Sequence, residues 1–344
     1  MRAAFLLFAA GVSVVSGADA QEPDVVTLYG RAYGLLESVE VSGGSAPAIR
    51  LNRVTDQASL LGVRGKENLG GGLVCWLQLE TGFAVDSPGT FGGRNSAIGL
   101  SGAWGTVLAG RWDSVYVQSQ VDPIDPFGHQ GLPDIAGAAI NQGNYTRREK
   151  NVIQYWSPRL AGFRTKLHYT ANEGRSESAN PYDYAVNVSF ENGGVYAAAA
   201  FEKHKDQLGG TTVAGVDEEG LGISGFREIG PLKISAQYGH YRRTGTVMQK
   251  SYMIGFRFKR GVQELLGTYQ NSRDGGPTSL AVQPRCILVG FGYRYRFSPK
   301  TFFIAQYAHV DNMVGALCNF GTNPVAISEA QDLHGIAVGL RTVF

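Results

Sequence analysis

Arginine and aspartate are the side chains in this sequence whose spacing could do chemistry, and that chemistry is electrostatic rather than covalent. Arg94 and Arg111 precede, and Arg147 and Arg148 follow, a stretch that carries Asp113, Asp122, Asp125 and Asp134 together with three prolines. Residues 113–147 show neither a helical nor an alternating apolar period and read as one long loop, a length that is uncommon inside a compact protein and usually functional or disordered. Folded inward against a cationic wall, such a loop would place carboxylates across a narrow opening from guanidinium groups. The transverse field would order polar solutes, penalise apolar ones and bias which ions pass. Other chemistries are poorly served. A hydrolase needs a nucleophile with a base in reach, yet no G-x-S-x-G elbow occurs, Gly222-Ile223-Ser224-Gly225 being short of one. The six histidines (His129, His168, His204, His240, His309, His334) are scattered one per element, with no H-x-x-x-H or C-x-x-C spacing, which argues against a metal site. The expectation is no catalytic residue, no metal and no cofactor.

The elements that must position these charges are strands. Tyr182, Tyr184, Val186, Val188 and Phe190 alternate with Asp183, Ala185, Asn187, Ser189 and Glu191; Tyr252, Ile254, Phe256 and Phe258 alternate with Met253, Gly255, Arg257 and Lys259. Residues 287–297, 163–170 and 232–240 follow the same two-residue period, which is that of a two-faced strand. Arg31, Arg64, Arg94, Arg148, Lys150 and Arg164 fall on the parity opposite the aromatic and β-branched residues, whereas parity leaves the direction of Arg111 open. Aromatics near the strand ends (Tyr155, Trp156, Tyr169, Tyr182, Phe190, Tyr238, Phe258, Phe297) suit interfacial girdles.

Alternation alone does not say which face meets water, since a soluble sandwich has the same period. The connections and the ends of the chain do. Residues 1–20 hold an early cation, Arg2, an apolar run from Ala3 to Val15, and Ala18 and Ala20 in an A-x-A arrangement, the pattern of a secretory signal peptide cleaved after Ala20. No later segment has the roughly 18 continuous apolar residues of a spanning helix, so a membrane would have to be crossed by strands in the domain 21–344. Short turns are expected at 65–70, 102–105, 158–162, 192–194, 230–231, 260–261 and 298–300. They alternate with long polar loops near 38–49, 85–93, 113–147, 172–181, 203–218, 243–248, 273–285 and 312–332, which makes sixteen strands. Short turns at one end and long loops at the other are the mark of an outer-membrane barrel. Lipid offers no partner to an unpaired N–H or C=O, so the sheet must close. The last strand, HGIAVGLRTVF, alternates and ends on Phe344. A formal net charge of +2 argues against a nucleic-acid partner, which calls for a concentrated basic surface. Of three cysteines, Cys286 and Cys318 could meet at the rim and form a disulfide, or all three could remain thiols.

Six stretches carry a resemblance in wording as well as pattern: VTLYGRAYG, LGVRGKENLGGGLVCWLQLETGF, GGRNSAIGLSGAWGTVLAGRWDSV, NVIQYWSPRLAGF, YRFSPKTFFIAQYAHVDN and the closing VGLRTVF. In that order they resemble the Gram-negative general porins of the betaproteobacterial and neisserial type, over most of the chain after residue 20. The resemblance implies a trimeric, water-filled barrel whose third extracellular loop bends inward, in contact with outer-membrane lipid and lipopolysaccharide and passing small hydrophilic solutes and ions. It matches Arg94, Arg111 and Arg148 to arginines of that family, the first and last on the pore wall, and implies a passive channel rather than an enzyme, weakly anion-preferring on its arginines. Where the family has a cation after serine, this chain reads Ser59-Leu60-Leu61-Gly62. The alternatives are a substrate-selective outer-membrane channel and a secreted β-sandwich binding protein.

Overall fold

The computed structural model describes residues 25–86, 93–135, 145–171, 173–245, 249–274 and 284–344; the expected leader lies outside them. A chain of two-faced strands can satisfy its backbone only by lateral pairing, and this one pairs until its last strand meets its first. The strands are β1 (Val25–Gly43), β2 in two stretches (Ile49–Asp56 and Leu60–Gly70), β3 (Leu73–Gly82), β4 (Ser96–Gly102), β5 (Gly105–Asp113), β6 (Arg148–Trp156), β7 (Phe163–Ala171) and β8 (Tyr182–Asn192). They continue with β9 (Val195–Lys205), β10 (Glu218–Ile229), β11 (Leu232–Arg243), β12 (Gln249–Arg260), β13 (Gln263–Asp274), β14 (Arg285–Arg296), β15 (Thr301–Asn312) and β16 (Gln331–Val343). Each pairs antiparallel with its neighbours in sequence, and β1 pairs β16 from Arg31 opposite Val343 to Gly43 opposite Gln331. The sixteen-stranded sheet is thereby closed and has no free edge. At the seam Phe344 exchanges two backbone hydrogen bonds with Gly30, at 3.2 and 3.1 Å.

The expected parity holds. Ile98, Ile153, Ile223, Ile254, Phe291 and Ile336 each expose more than half of their surface on the outside of the barrel, while Asp183, Asn187 and Ser189 on the other parity are buried. A continuous apolar band of this kind is a liability in water and a requirement in lipid. No helix of the described residues is long and apolar enough to cross a membrane.

Three expectations are corrected. The first short turn is not 65–70: β2 runs on to Gly70, and the chain reverses at Gly71 and Gly72, both at positive φ. Strand β2 is interrupted at 57–59, where Ala58 takes a φ of 59° and the Gln57 side chain turns inward to bond Thr55 and Glu37. Trp156 does not join an interfacial girdle; it packs against Trp112 on the inner face.

The interior is less uniformly ionic than parity suggests. Tyr33, Leu35, Val39 and Val41 of β1, Leu288 of β14, Ile304 and Val310 of β15 and Leu333 of β16 point inward and are fully buried. They are covered by Val117, Val121, Ile124, Phe127, Leu132 and Ile135 of the segment after β5, and by Phe320 and Val325 of the loop before β16. This is a hydrophobic core inside a barrel. The long loop is amphipathic, so its apolar side is withdrawn from water by the wall. Cys286 and Cys318 form a disulfide with Cα atoms 6.3 Å apart, tying the β15–β16 loop to β14 at this core, of which Cys286 is a part.

Candidate pore constriction

The described segment from Ser114 to Ile135 leaves the wall at the end of β5 and folds into the lumen, starting with one helical turn, α1 (Val117–Gln120). The loop expected at 113–147 thus begins one residue later, because Asp113 still pairs with Arg148 across β5 and β6. An irregular segment inside a protein leaves backbone carbonyls to be satisfied, and inward polar side chains of the wall supply the donors. Asn187 donates to Val115 O at 2.6 Å, Ser224 to Ser119 O at 2.8 Å, Ser235 to Ile124 O at 2.6 Å and Gln270 to Pro133 O at 3.1 Å. Close approach is made possible by inward glycines. A Cβ on Gly255 would lie 2.5 Å from Pro126, one on Gly290 2.3 Å from Pro133 and one on Gly292 2.7 Å from Phe127.

The described part of the loop docks against β1 and β12–β16 and, on its other side, borders the candidate passage. A cavity of about 400 Å³ is lined by Arg31, Arg94 and Arg148 from the strands and their flanks, by Asp113, and by Asp122, His129, Gln130 and Asp134 from the loop, with Thr322 from the β15–β16 loop. The three arginines are held differently. Arg31 donates to Ala58 O at 2.6 Å, and Gln130, with its amide oxygen turned toward it, accepts from both terminal nitrogens at 2.8 Å. Arg94 lies 3.6 Å from Glu80. Arg148 lies 3.0 Å from Asp113 and bonds Asn95, which in turn donates to Asp113 at 2.7 Å. Among the described residues no carboxylate is within ion-pair distance of Arg31, so its charge is offset least.

The loop acids divide. Asp122 is half exposed to the passage, 3.9 Å from His129 Nδ1, and Asp134 accepts from Thr322 at 2.7 Å. Asp125 turns away from the passage and accepts from the backbone N–H groups of Phe127 and His129 at 2.9 and 2.6 Å, so it shapes the loop. Burial, reinforced by Asp134, pushes the Asp125 carboxyl up to about 7. At His129 burial opposes the charge, but Asp134, Asp122 and Asp125 together hold the imidazole above its ordinary value.

The remaining cations named from the sequence lie off the constriction. Arg64 stacks its guanidinium 4.1 Å from the Tyr29 ring and donates to Gln78 at 2.8 Å, toward the short-turn end. Arg164 donates to Ser157 O at 3.1 Å. Lys150 is exposed beside Asn151, at the irregularity between β5 and β6, and Arg111 is partly buried on the facing strand. Sequence reasoning missed Arg294, Arg296 and Arg341, whose guanidinium carbons lie 4.4, 5.7 and 5.4 Å from the Phe302 ring centre inside the lumen. Their inward parity was readable. What could not be read was that Phe302, Tyr33 and the barrel closure gather them on the wall that carries Arg31.

A family model described as Gram-negative porin matches residues 3–314. Outer membrane porin protein 32 of Delftia acidovorans is 26% identical over 358 aligned positions, covering 98% of this chain and 99% of that protein. Major outer membrane protein P.IB of Neisseria gonorrhoeae is 29% identical over 189 positions, 52% of each chain. Of solved structures, the anion-selective porin from Comamonas acidovorans matches with a TM-score of 0.79 at 22% identity, over 94% of this chain and 100% of that one. The trimer form of OmpT from Vibrio cholerae matches with a TM-score of 0.69 at 14% identity, over the same two shares.

Proposed function

This chain belongs to the Gram-negative porin family, and from that premise we propose that it is an outer-membrane diffusion channel for small hydrophilic solutes and ions that favours anions at its constriction. The observation that carries the reading is the cavity of about 400 Å³ in which Arg31, Arg94 and Arg148 face Asp122, Asp134 and His129. In a narrow passage with low-dielectric walls, field lines are focused rather than screened, and a constriction lined by arginine favours anions. Arg31, without a carboxylate at ion-pair distance among the described residues, tips the balance; Arg94 and Arg148, each close to one carboxylate, define the direction of the transverse field. Asp113 orients Arg148, Asp122 and Asp134 form the opposing wall, and Asp125 holds the loop that carries them. Arg64 and Arg164 extend the positive wall toward the short-turn end, while Lys150 and Arg111 add charge above the constriction. Residues 1–20 serve as the export leader.

The same reading makes the protein a passive conduit with no catalytic step, assembled as a homotrimer with its apolar band against outer-membrane lipid and lipopolysaccharide. The trimer is supported by the description of one structural neighbour as a trimer form, and the anion preference by that of another as anion-selective. The test is the reversal potential of the purified protein in a planar bilayer under a potassium chloride gradient. A potential of the anion-selective sign is expected. One of the cation-selective sign would overturn the assignment of the arginines.

A further inference from the structure

Three tryptophans stand on the lumen wall and take no part in the constriction. Trp76, Trp112 and Trp156 form a run of edge-to-face contacts with ring centres 5.9 and 6.0 Å apart, backed by Ala97, Leu108 and Val152. Two of the indole N–H groups are satisfied within the wall, Trp76 by Ser101 at 3.1 Å and Trp156 by Gln154 at 2.9 Å. The rings border a cavity of about 590 Å³ whose polar lining includes Arg64, Lys66 and Gln78, a volume within the roughly 300–1,000 Å³ of small-molecule sites. A further cation, the Lys166 ammonium, lies 4.6 Å from the Trp156 ring centre.

The place of this cavity is set by one strand. Trp76, Gln78 and Glu80 are successive inward residues of β3, and Glu80 is the carboxylate beside Arg94 at the constriction. At about 3.4 Å per residue, Trp76 lies about 14 Å further along the same wall, so a solute leaving the constriction toward the short-turn end meets the indoles next. Water alone gives no reason for indoles there. Large aromatics bury about 150–250 Å² each when covered, and elsewhere in this lumen apolar wall is covered by the inward loop. Here the lining combines flat apolar surface with cations at its rim.

We propose that this cavity is a binding subsite for aromatic carboxylates, solutes with one flat ring and one anionic head. The ring packs edge-to-face or offset against Trp112 and Trp156, and the carboxylate lies toward Arg64 and Lys66. The inference rests on the channel reading given above, because the constriction must first admit the anion.

The experiment uses the full protein in planar bilayers and measures inhibition of chloride current by benzoate, by its saturated counterpart cyclohexanecarboxylate, and by acetate. Benzoate is expected to half-inhibit at a concentration at least five-fold below acetate and about three-fold below cyclohexanecarboxylate. Trp112→Leu and Trp156→Leu should each erase the benzoate advantage while leaving conductance in potassium chloride alone unchanged, and Arg64→Gln should raise the benzoate half-inhibition concentration several-fold. Equal inhibition by benzoate and acetate, equal inhibition by the saturated acid, or a benzoate advantage that survives both tryptophan changes would each overturn the subsite. Should the leucine variants fail to assemble, the wild-type ranking of the three acids decides. An absence of any potassium chloride conductance would overturn the channel reading itself, whereas normal conductance without benzoate preference overturns the subsite alone.

Discussion

Arg94 lies 3.6 Å from Glu80, which also accepts from the Tyr29 hydroxyl at 2.8 Å. On sequence alone an inward Arg94 meets water whatever its charge, and Arg94→Glu should alter selectivity with little effect on folding. The pairing changes the second half of that expectation. At about 8 Å in a water-like medium a unit charge is worth about 0.5 kcal/mol to a passing ion. Arg94→Glu should therefore lower the anion-to-cation permeability ratio several-fold, read from the reversal potential. It should also lower the thermal transition, because it sets a second carboxylate against the nearly buried Glu80; Arg94→Gln should give a smaller selectivity change with less loss of stability. The loop supplies a pH dependence of definite sign. Asp125 gives up its negative charge as the pH falls through about 7, and His129, held above its ordinary value by the loop acids, gains a positive charge on acidification. Both changes make the constriction more positive, so anion preference should rise from pH 8 to pH 5. In a His129→Gln variant the rise should shrink; a reversal potential flat in pH would show that neither group reports to the passage.

At the scale of elements, the inward loop is seated by shape as much as by bonds. Gly255, Gly290 and Gly292 face Pro126, Pro133 and Phe127 at distances that leave no room for a side chain. Gly290→Val should lift Pro133 off the wall toward the axis and lower single-channel conductance while the barrel still forms, as judged by heat-modifiable migration on a gel. An unchanged conductance would mean that the loop yields elsewhere. The glycines could be placed on the inward parity from the sequence, because the two-residue period is local. That they formed a bed for prolines more than a hundred residues distant could not, since this depends on the stagger of strands around the closed barrel. The same holds for the interruption of β2, where Gln57 departs from strand geometry and accepts from the Gly131 N–H at 2.8 Å.

For the whole molecule, closure is the condition on which lipid solubility of the backbone depends, and Phe344 is the residue that completes it. Its ring lies over Gly30, where a Cβ would come within 2.3 Å of it, and its backbone adds two hydrogen bonds to the seam. Deleting Phe344 should lower the yield of heat-modifiable, folded protein in refolding from urea into detergent, and the barrel that does form should unfold at a lower temperature. An unchanged yield would assign the seam's stability to β1 and β16 alone.

Strand number, the lipid-facing parity, the short and long ends of the barrel, the inward parity of Arg31, Arg94 and Arg148 and the position of Asp122 and Asp134 on the long loop were legible in the sequence. Each follows from a local rule: a period of two, a turn residue, a charge on the polar parity. What no local rule could tell is that Asp125 turns into its own loop, that Arg294, Arg296 and Arg341 gather around Phe302, that Trp156 looks inward beside Trp112, and that of the three constriction arginines Arg31 is the one with no carboxylate of the described residues at ion-pair distance. These depend on which distant strand lies opposite and how far it is staggered, and a pattern read along one strand carries no information about that distance.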